Sequence, residues 1–508
     1  MYREDIKVLR DFVTKYIDHN VVKRFLCENC TTLIFLFFLF FYLSFGLYIT
    51  YFNPTVTNVL GNLIYDTDTG KHYIWYYLGI KFPTLKHPLS AILIYPLSST
   101  LGYIFSPKLA IIIIQSLIQS ISTYLIYRIL YVVTQNHNLS VLICIVFGFS
   151  YTVAIMAILP EIYVWAGLTQ ILLLYYIVTL ITQKTTNLNF KNILIIAILT
   201  LFCFSINIVN IVSSILLLIH LLISVYKTSI KNIFIKFCQI IVIVFLLTGL
   251  AIHFQDTTLP HDPQGKGNVI FTNNISIKNI KEMTIGTFIE PFYALKSAKA
   301  KYYSRSSKLK NGKIKQCNIK RFLRYKKQPP IRYIPAIVFL LMSIILYIYN
   351  LNGKPRFILC TLAIIILAYA YFNTIFFSNE CALFAMNYFP FLIILLGLLY
   401  EKVPNLYRNI IVGGFLCYII PQNIHYLFKI QRFVHSPADK FHSYGECMLY
   451  ALLFTVIVGA SIYVCKKIMD KYKCCTLSVE ENYFVYTLLY LGFILVFGVF
   501  HAFSIYKV

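Results

Sequence analysis

The chain has 508 residues, of which 59% are apolar and only 13% charged, with 45 Lys and Arg against 19 Asp and Glu for a formal charge of +26. The apolar residues stand in long unbroken blocks, a pattern that excludes an ordinary soluble core and points to the bilayer as solvent. Nucleic acid is not the expected partner of the positive charge, because no soluble nucleic-acid-binding module is present. Anionic lipid is the expected counterpart.

A bilayer core about 30 Å thick needs about 20 apolar residues in a helix. The first such block runs from Leu33 to Phe52, too deep in the chain for a cleaved signal peptide. Further blocks run Leu109 to Val133, Leu139 to Leu159, Ile162 to Ile181, Ile193 to Ile208, Ile211 to Tyr226 and Phe237 to Phe254. The second half adds Ile334 to Tyr349, Phe357 to Phe376, Ala382 to Leu399, Ile410 to Phe428, Met448 to Val464 and Tyr483 to Phe503. Many of these are rich in Ile, Val, Phe and Tyr, which in water favour strands. An open sheet edge cannot sit in lipid and barrel alternation is missing, so the blocks read as helices. The expected fold is an all-α polytopic membrane protein with about 13 transmembrane helices.

Lys and Arg in short connections set orientation. Residues 1–32 carry Arg3, Lys7, Arg10, Lys15, Lys23 and Arg24 and read as a cytoplasmic amino-terminal segment. Counting from there, Lys184 and Lys191, Lys227 and Lys231, Lys354 and Arg356, Lys402 and Arg408, and Lys466 with Lys467 all fall on the cytoplasmic side. Residues 255–332 hold seventeen Lys and Arg against four acids, yet the same count puts them outside. Long loops cross largely regardless of charge. That loop is either a solvated surface or an electropositive bed for phosphate-bearing lipid or acidic glycan. It separates a core of 33–254 from carboxy-terminal helices in 333–508.

The thirteen cysteines are scattered, mostly inside apolar blocks, where a thiol behaves as a small hydrophobe. Cys27 and Cys30 form a CxxC, but no second pair at zinc spacing follows, and no metal site is expected.

The chemistry concentrates in the loop after the first span, residues 53–108. Asp66 and Asp68 sit in a non-apolar stretch, followed by Lys71, His72, Tyr73, Trp75, Tyr76 and Tyr77. The acids alone read as ordinary solvated carboxylates; the aromatic cluster beside them suits both interfacial anchoring and stacking on sugars. Lys86 and His87-Pro88-Leu89 then lead an apolar stretch to Phe105 that Pro96 and Gly102 interrupt, better suited to an external interfacial helix than to a full span.

This order of a long apolar span, an external Asp-bearing loop, a KHPL turn and a broken apolar stretch resembles the GT-C membrane glycosyltransferases, the superfamily of mannosyl- and aminoarabinosyl-transferase-like enzymes that use polyprenyl-phosphate sugars. The resemblance covers roughly the first 230 residues. It implies that Asp68, or Asp66, is the catalytic base or orients the acceptor. It also implies that Glu161, in PEIY at the outer junction of the third and fourth spans, is the second acid. Asn207 and Asn210, in FSINIVN, resemble a polar patch of the same family, although two amides there more often join helices. Glu380, in SNECALFAMNYFP, would approach the lipid-phosphate site, with Lys71, Lys86 and His87 as further substrate-binding groups. No cofactor is required, though a divalent cation could join the carboxylates.

The activity expected from this resemblance is transfer of a hexose from a polyprenyl-phosphate donor to an extracytoplasmic glycan, lipid or protein acceptor, in the cell membrane of a bacterium. Two rivals share the composition: an O-antigen-type polysaccharide polymerase and a lipid or solute transporter. The polymerase would lean on Arg-rich external loops, whereas this basic loop is mostly Lys. The transporter would show repeated halves and charges within spans, whereas no convincing internal repeat is visible and few ionisable residues lie mid-span. His220 is the clearest mid-span ionisable group, and a satisfied bundle histidine is its expected meaning.

Overall fold

Apolar runs of this length can satisfy their backbone groups in lipid only by turning them inward along a helix. The computed structural model describes residues 19–51, 89–227, 229–258, 287–293, 296–297, 301–308, 314–321, 325–326, 333–351, 357–376, 383–434 and 443–472. In chain order its helices are α1 (His19–Gly46), continued by a π-helical turn Leu47–Tyr51, α2 (Ser90–Ile104), α3 (Pro107–Thr134), α4 (His137–Phe149), α5 (Tyr151–Ile158), α6 (Tyr163–Thr182) and α7 (Phe190–Ile206). A 3-10 turn, Ile208–Asn210, leads to α8 (Ile211–Tyr226) and α9 (Ile230–Thr258). After a second 3-10 turn, Glu290–Phe292, come α10 (Ile334–Leu351), α11 (Phe357–Phe376), a third 3-10 segment Leu383–Asn387, α12 (Phe389–Tyr400), α13 (Asn405–Val434) and α14 (Tyr444–Tyr472).

The protein is a helical, multi-pass membrane protein. Among the described residues seven helices are long and apolar enough to cross a bilayer, or eight if α4 and α5 form one span. The apolar blocks at 193–208, 334–349, 357–376 and 382–399 give shorter described apolar helices. The last of these blocks opens as 3-10 turn and becomes α-helical only at Phe389, where Pro390 stands in the first turn. The expected span at 483–503 lies outside the described residues. One departure from an all-helical chain occurs in the basic segment, where Lys301–Lys308 pairs antiparallel with Ile314–Arg321, and Lys296–Ser297 with Tyr325–Lys326.

Helices α3 and α6 form the centre, and α1, α4 and α5 close around α3. By contrast α9 buries almost nothing and presents Phe234, Phe245, Leu246 and Leu250 outward. Exposed Leu341, Ile345 and Ile348 on α10 and Ile364 and Leu367 on α11 continue this apolar surface. Water would not tolerate so large an apolar face, whereas lipid does.

The chain changes direction within its most buried part. The single apolar block expected at 139–159 is two helices, α4 and α5, meeting at 58°. Ser150 adopts extended backbone between them, and its hydroxyl turns back to Val146 O at 2.6 Å. A break of this kind strands carbonyls, which lipid cannot satisfy. Two other helices supply donors at the break: the Tyr42 hydroxyl of α1 to Gly148 O at 2.9 Å and Asn423 Nδ2 of α13 to Phe149 O at 2.8 Å; at the far end of α5, Thr50 Oγ1, in the turn that continues α1, donates to Ile158 O at 2.6 Å. Asn423 Nδ2 also donates to Phe292 O at 2.8 Å and so ties the Glu290–Phe292 turn to the same joint.

Close approach of α1 to the joint depends on Gly148, where a Cβ would stand 2.1 Å from the Phe38 ring. Phe38 in turn packs edge-on against Phe149 and stacks on Tyr42. Gly148→Ala is therefore expected to lower the thermal unfolding midpoint in detergent, by the roughly 1–3 kcal/mol typical of overpacking. Adding Phe38→Leu should recover part of the loss. An unchanged midpoint for Gly148→Ala would remove this contact from the packing of α1.

Candidate functional site

Two ends of the bundle can be told apart by their turns. At one end Tyr226 OH accepts from Leu188 N at 3.0 Å and donates to Asn187 Oδ1 at 2.9 Å, joining the α6–α7 and α8–α9 connections. Gln135, Lys184 and Lys227 end their helices there with positive φ, the left-handed half of Ramachandran space common at helix carboxy-termini. The basic residues Lys184, Lys191, Lys227 and Lys231 belong to this end.

The opposite end gathers the candidate chemistry. Glu161 lies in the turn between α5 and α6 and is fully buried inside the bundle, not on the lipid face. Its backbone is held on both sides: Glu161 N donates to Leu159 O at 2.7 Å, and Gln115 Nε2 of α3 donates to Glu161 O at 2.7 Å. Pro160 precedes it and α6 follows at Tyr163, so the residue sits where a span reverses.

Asp66, Asp68, Lys71, Lys86 and His87 lie outside the described residues, as does Glu380. The two ends of the segment that carries the aspartates are nevertheless fixed. Before it, Thr50 donates to Ile158 O, three residues from Glu161. After it, Leu89 N donates to Ser205 O at 3.1 Å, two residues from Asn207, and both Leu89 and Ser90 are buried. The acidic segment thus starts beside the Glu161 turn and finishes beside the Asn207 turn. The stretch after it is a fifteen-residue helix, α2, that contains Pro96 and Gly102 and packs on α3.

Asn207 and Asn210 are placed together but serve as joints between helices. Asn207 Nδ2 donates to Asn387 Oδ1 at 3.2 Å and Asn207 Oδ1 caps Val209 N at 3.2 Å. The Tyr369 hydroxyl of α11 donates to Asn210 Oδ1 at 3.0 Å, and Gln170 Nε2 donates to that hydroxyl at 3.4 Å. Ser213 Oγ completes the knot, 3.2 Å from Tyr369 OH and 3.3 Å from Gln170 Oε1. Every member is buried, so this network is structural glue of the kind amides make in membranes. Away from it, His220 Nδ1 bonds Thr361 Oγ1 at 2.9 Å and its ring stacks on Phe357, a satisfied bundle histidine.

The Leu383–Asn387 segment links these parts. It contacts α5 and α6, holds Asn207 through Asn387, and lays Met386 against Gly167, where a Cβ would meet Met386 Cε at 2.7 Å. Glu380 stands just before this segment in the chain.

Sequence reasoning passed over Glu290. It lies in a buried 3-10 turn whose Pro291 and Phe292 pack into the bundle, and that turn contacts α5. Glu161 and Glu290 are the two buried carboxylates among those whose side chains are described. The IEPF sequence inside a largely polar, basic segment was the available signal, since Ile289, Pro291 and Phe292 set the acid among apolar residues. Among the described residues no group of three His, Cys, Asp or Glu side chains gathers to hold a metal ion.

A double-mutant cycle on Asn207→Ala and Asn387→Ala should give a coupling energy near 0.6 kcal/mol and no more than about 1.7 kcal/mol, the range of interhelical hydrogen bonds in membranes. Strict additivity of the two losses would show that the 3.2 Å contact does not hold the segments together. No family model matches this chain, and neither a curated protein nor a solved structure matches it.

Proposed function

We propose that the protein is an integral membrane glycosyltransferase that moves a hexose from a polyprenyl-phosphate donor to an extracytoplasmic glycan, lipid or protein acceptor. The observation that carries this reading is the anchoring of both ends of the Asp66 and Asp68 segment, at Ile158 beside the buried Glu161 and at Ser205 beside Asn207. Two carboxylates in a segment whose described flanks, Thr50 and Leu89, are hydrogen-bonded near a buried glutamate and Asn207 suit an acceptor hydroxyl that must lose a proton.

In the proposed step the acceptor oxygen attacks the anomeric carbon, the bond from that carbon to the phosphate oxygen breaks, and Asp68 takes the hydroxyl proton. The polyprenyl phosphate leaves with its negative charge, which Lys71 and Lys86 stabilise. Asp66, Glu161 and His87 orient the acceptor, and Glu380 lies toward the lipid phosphate. The finer topology belongs to the same proposal: thirteen spans, a cytoplasmic amino terminus, and residues 53–108 and 255–332 outside. The basic turns at Lys184 and Lys227 then face the cytoplasm, as the distribution of positive charge requires.

One observation favours transport instead. A discontinuous span is the arrangement on which many transporters build their substrate sites. The 58° break between α4 and α5 shares that discontinuity, although its Gly148 and Phe149 carbonyls are already bonded by Tyr42 and Asn423.

Membranes containing the protein, supplied with labelled polyprenyl-phosphate hexoses, are expected to incorporate label into glycolipid or polysaccharide. Asp68→Asn should lower that rate by roughly a hundred- to ten-thousandfold, the usual worth of general-base assistance, while insertion stays normal. Glu161→Gln should slow transfer less, because it positions the substrate without carrying the proton. Wild-type turnover in Asp68→Asn would exclude it as the base, and label crossing sealed vesicles without transfer would support the transporter.

Topology is tested separately by single cysteines. Tyr73→Cys should react with an impermeant thiol reagent from outside intact cells and Lys184→Cys only after the inner face is opened. The reverse pattern would invert the whole assignment.

A further inference from the structure

The middle of α3 reads IIIIQSLIQSIST, a run whose polar residues recur at helical spacing inside the most buried part of the protein. Ser116, Gln119 and Thr123 fall three and four residues apart and therefore share one face. That face meets α1. Ser116 Oγ stands 3.8 Å from where a Cβ on Gly46 would be, and Thr123 Oγ1 lies 3.4 Å from the Tyr42 hydroxyl. Gln119 lies between them, with Gln115 one turn nearer the Glu161 turn.

The neighbouring hydroxyls of this helix bond backbone carbonyls and not the Gln119 side chain. Ser120 Oγ donates to Ser116 O at 2.6 Å, Ser122 Oγ to Ile118 O at 2.9 Å, and Thr123 Oγ1 to Gln119 O at 2.9 Å. Gln119 Oε1, Gln119 Nε2 and Ser116 Oγ are all buried with no hydrogen-bond partner among the described residues. Gln119 sits twelve residues into α3, about 18 Å from its start at 1.5 Å per residue. An amide left bare at that depth is strongly unfavourable, whereas a buried polar site with several convergent groups holds water or ligand.

We propose that the seam between α1 and α3 at Ser116 and Gln119 is a binding site for a neutral hydroxyl group, ordered water or the hydroxyl of a polyol. The amide offers one acceptor and two donors, and the Ser116 hydroxyl can do either, so the complementary group must both donate and accept. A cation finds no carboxylate on this row, and an anion no positive charge. The row ends at Tyr42, whose own hydroxyl serves the joint between α4 and α5, so the site reaches from the Glu161 turn toward that joint. This inference stands apart from the transferase reading.

The test uses the full-length protein in liposomes carrying Ser116→Cys, treated with a small neutral thiol reagent and read by peptide mass spectrometry against native Cys203, which is fully buried. The introduced thiol should react about tenfold or more faster than Cys203, since a thiol sharing its site with water or a hydroxyl ionises and is reached more readily than one in an apolar setting. Protection by millimolar free hexose assigns the site to a polyol hydroxyl; reaction without protection assigns it to water. Reaction no faster than at Cys203 overturns the proposal. Should Ser116→Cys fail to fold, Gln119→Met decides the matter by thermal unfolding. In an occupied site it lowers the unfolding midpoint, because a made hydrogen bond is lost. In a dry site it raises the midpoint, because a bare amide is removed.

Discussion

Everything in the interior of this protein is subject to one constraint: a backbone carbonyl facing lipid has no water to bond, so any interruption of a helix must be repaired by protein. The joint at Phe149 and Ser150 is where the constraint is most demanding. Tyr42 and Asn423, far apart in the chain, each supply a donor to the interruption. Because Asn423 serves Phe292 O with the same nitrogen, the position of the Glu290 turn follows from that repair. The Glu161 turn is held separately, by Gln115 on Glu161 O and by Thr50 on Ile158 O at the end of α5.

Much of the buried polar chemistry holds the fold. The amides of Asn207, Asn387 and Asn423 and the side-chain oxygen of Asn210 bond other segments, and His220 bonds Thr361. Glu161 and Glu290 add a second feature, since a buried carboxylate in a membrane is costly and is usually retained for function. Both lie on turns adjoining α5, the short half-helix between the joint and the candidate site.

The sequence made the helical class legible because hydrophobic length is a one-dimensional property, read without knowing which residues touch. It also marked Glu161 as an acid where one span reverses into the next, and suggested that Asn207 and Asn210 join helices. The break at Ser150 was hidden because Gly148 and Ser150 are small residues in a 21-residue apolar run, and small residues are common in membrane helices for packing alone. Glu290 was hidden by its setting among Lys and Arg, where an acid reads as charge balance. The row at Ser116 and Gln119 was averaged away by the isoleucines and leucines on either side. What decides all three is tertiary: which carbonyl faces which donor. Asp66 and Asp68 remain as the sequence presents them, bounded now by two anchored ends.

The sparsely buried α9 carries a separate consequence. Its 29 residues extend about 43 Å at 1.5 Å per residue, of which the apolar stretch 237–254 takes about 27 Å, close to a hydrocarbon layer about 30 Å thick. The remaining turns then reach the headgroup region, and a layer of another thickness is met by tilting. α9 packs on α7 and α8 alone among its principal neighbours and shows most of its surface to lipid. Its angle therefore answers to bilayer thickness more than to the protein core. A thinner or thicker membrane would therefore change the tilt of α9 while the buried joint of α4 and α5 stayed still.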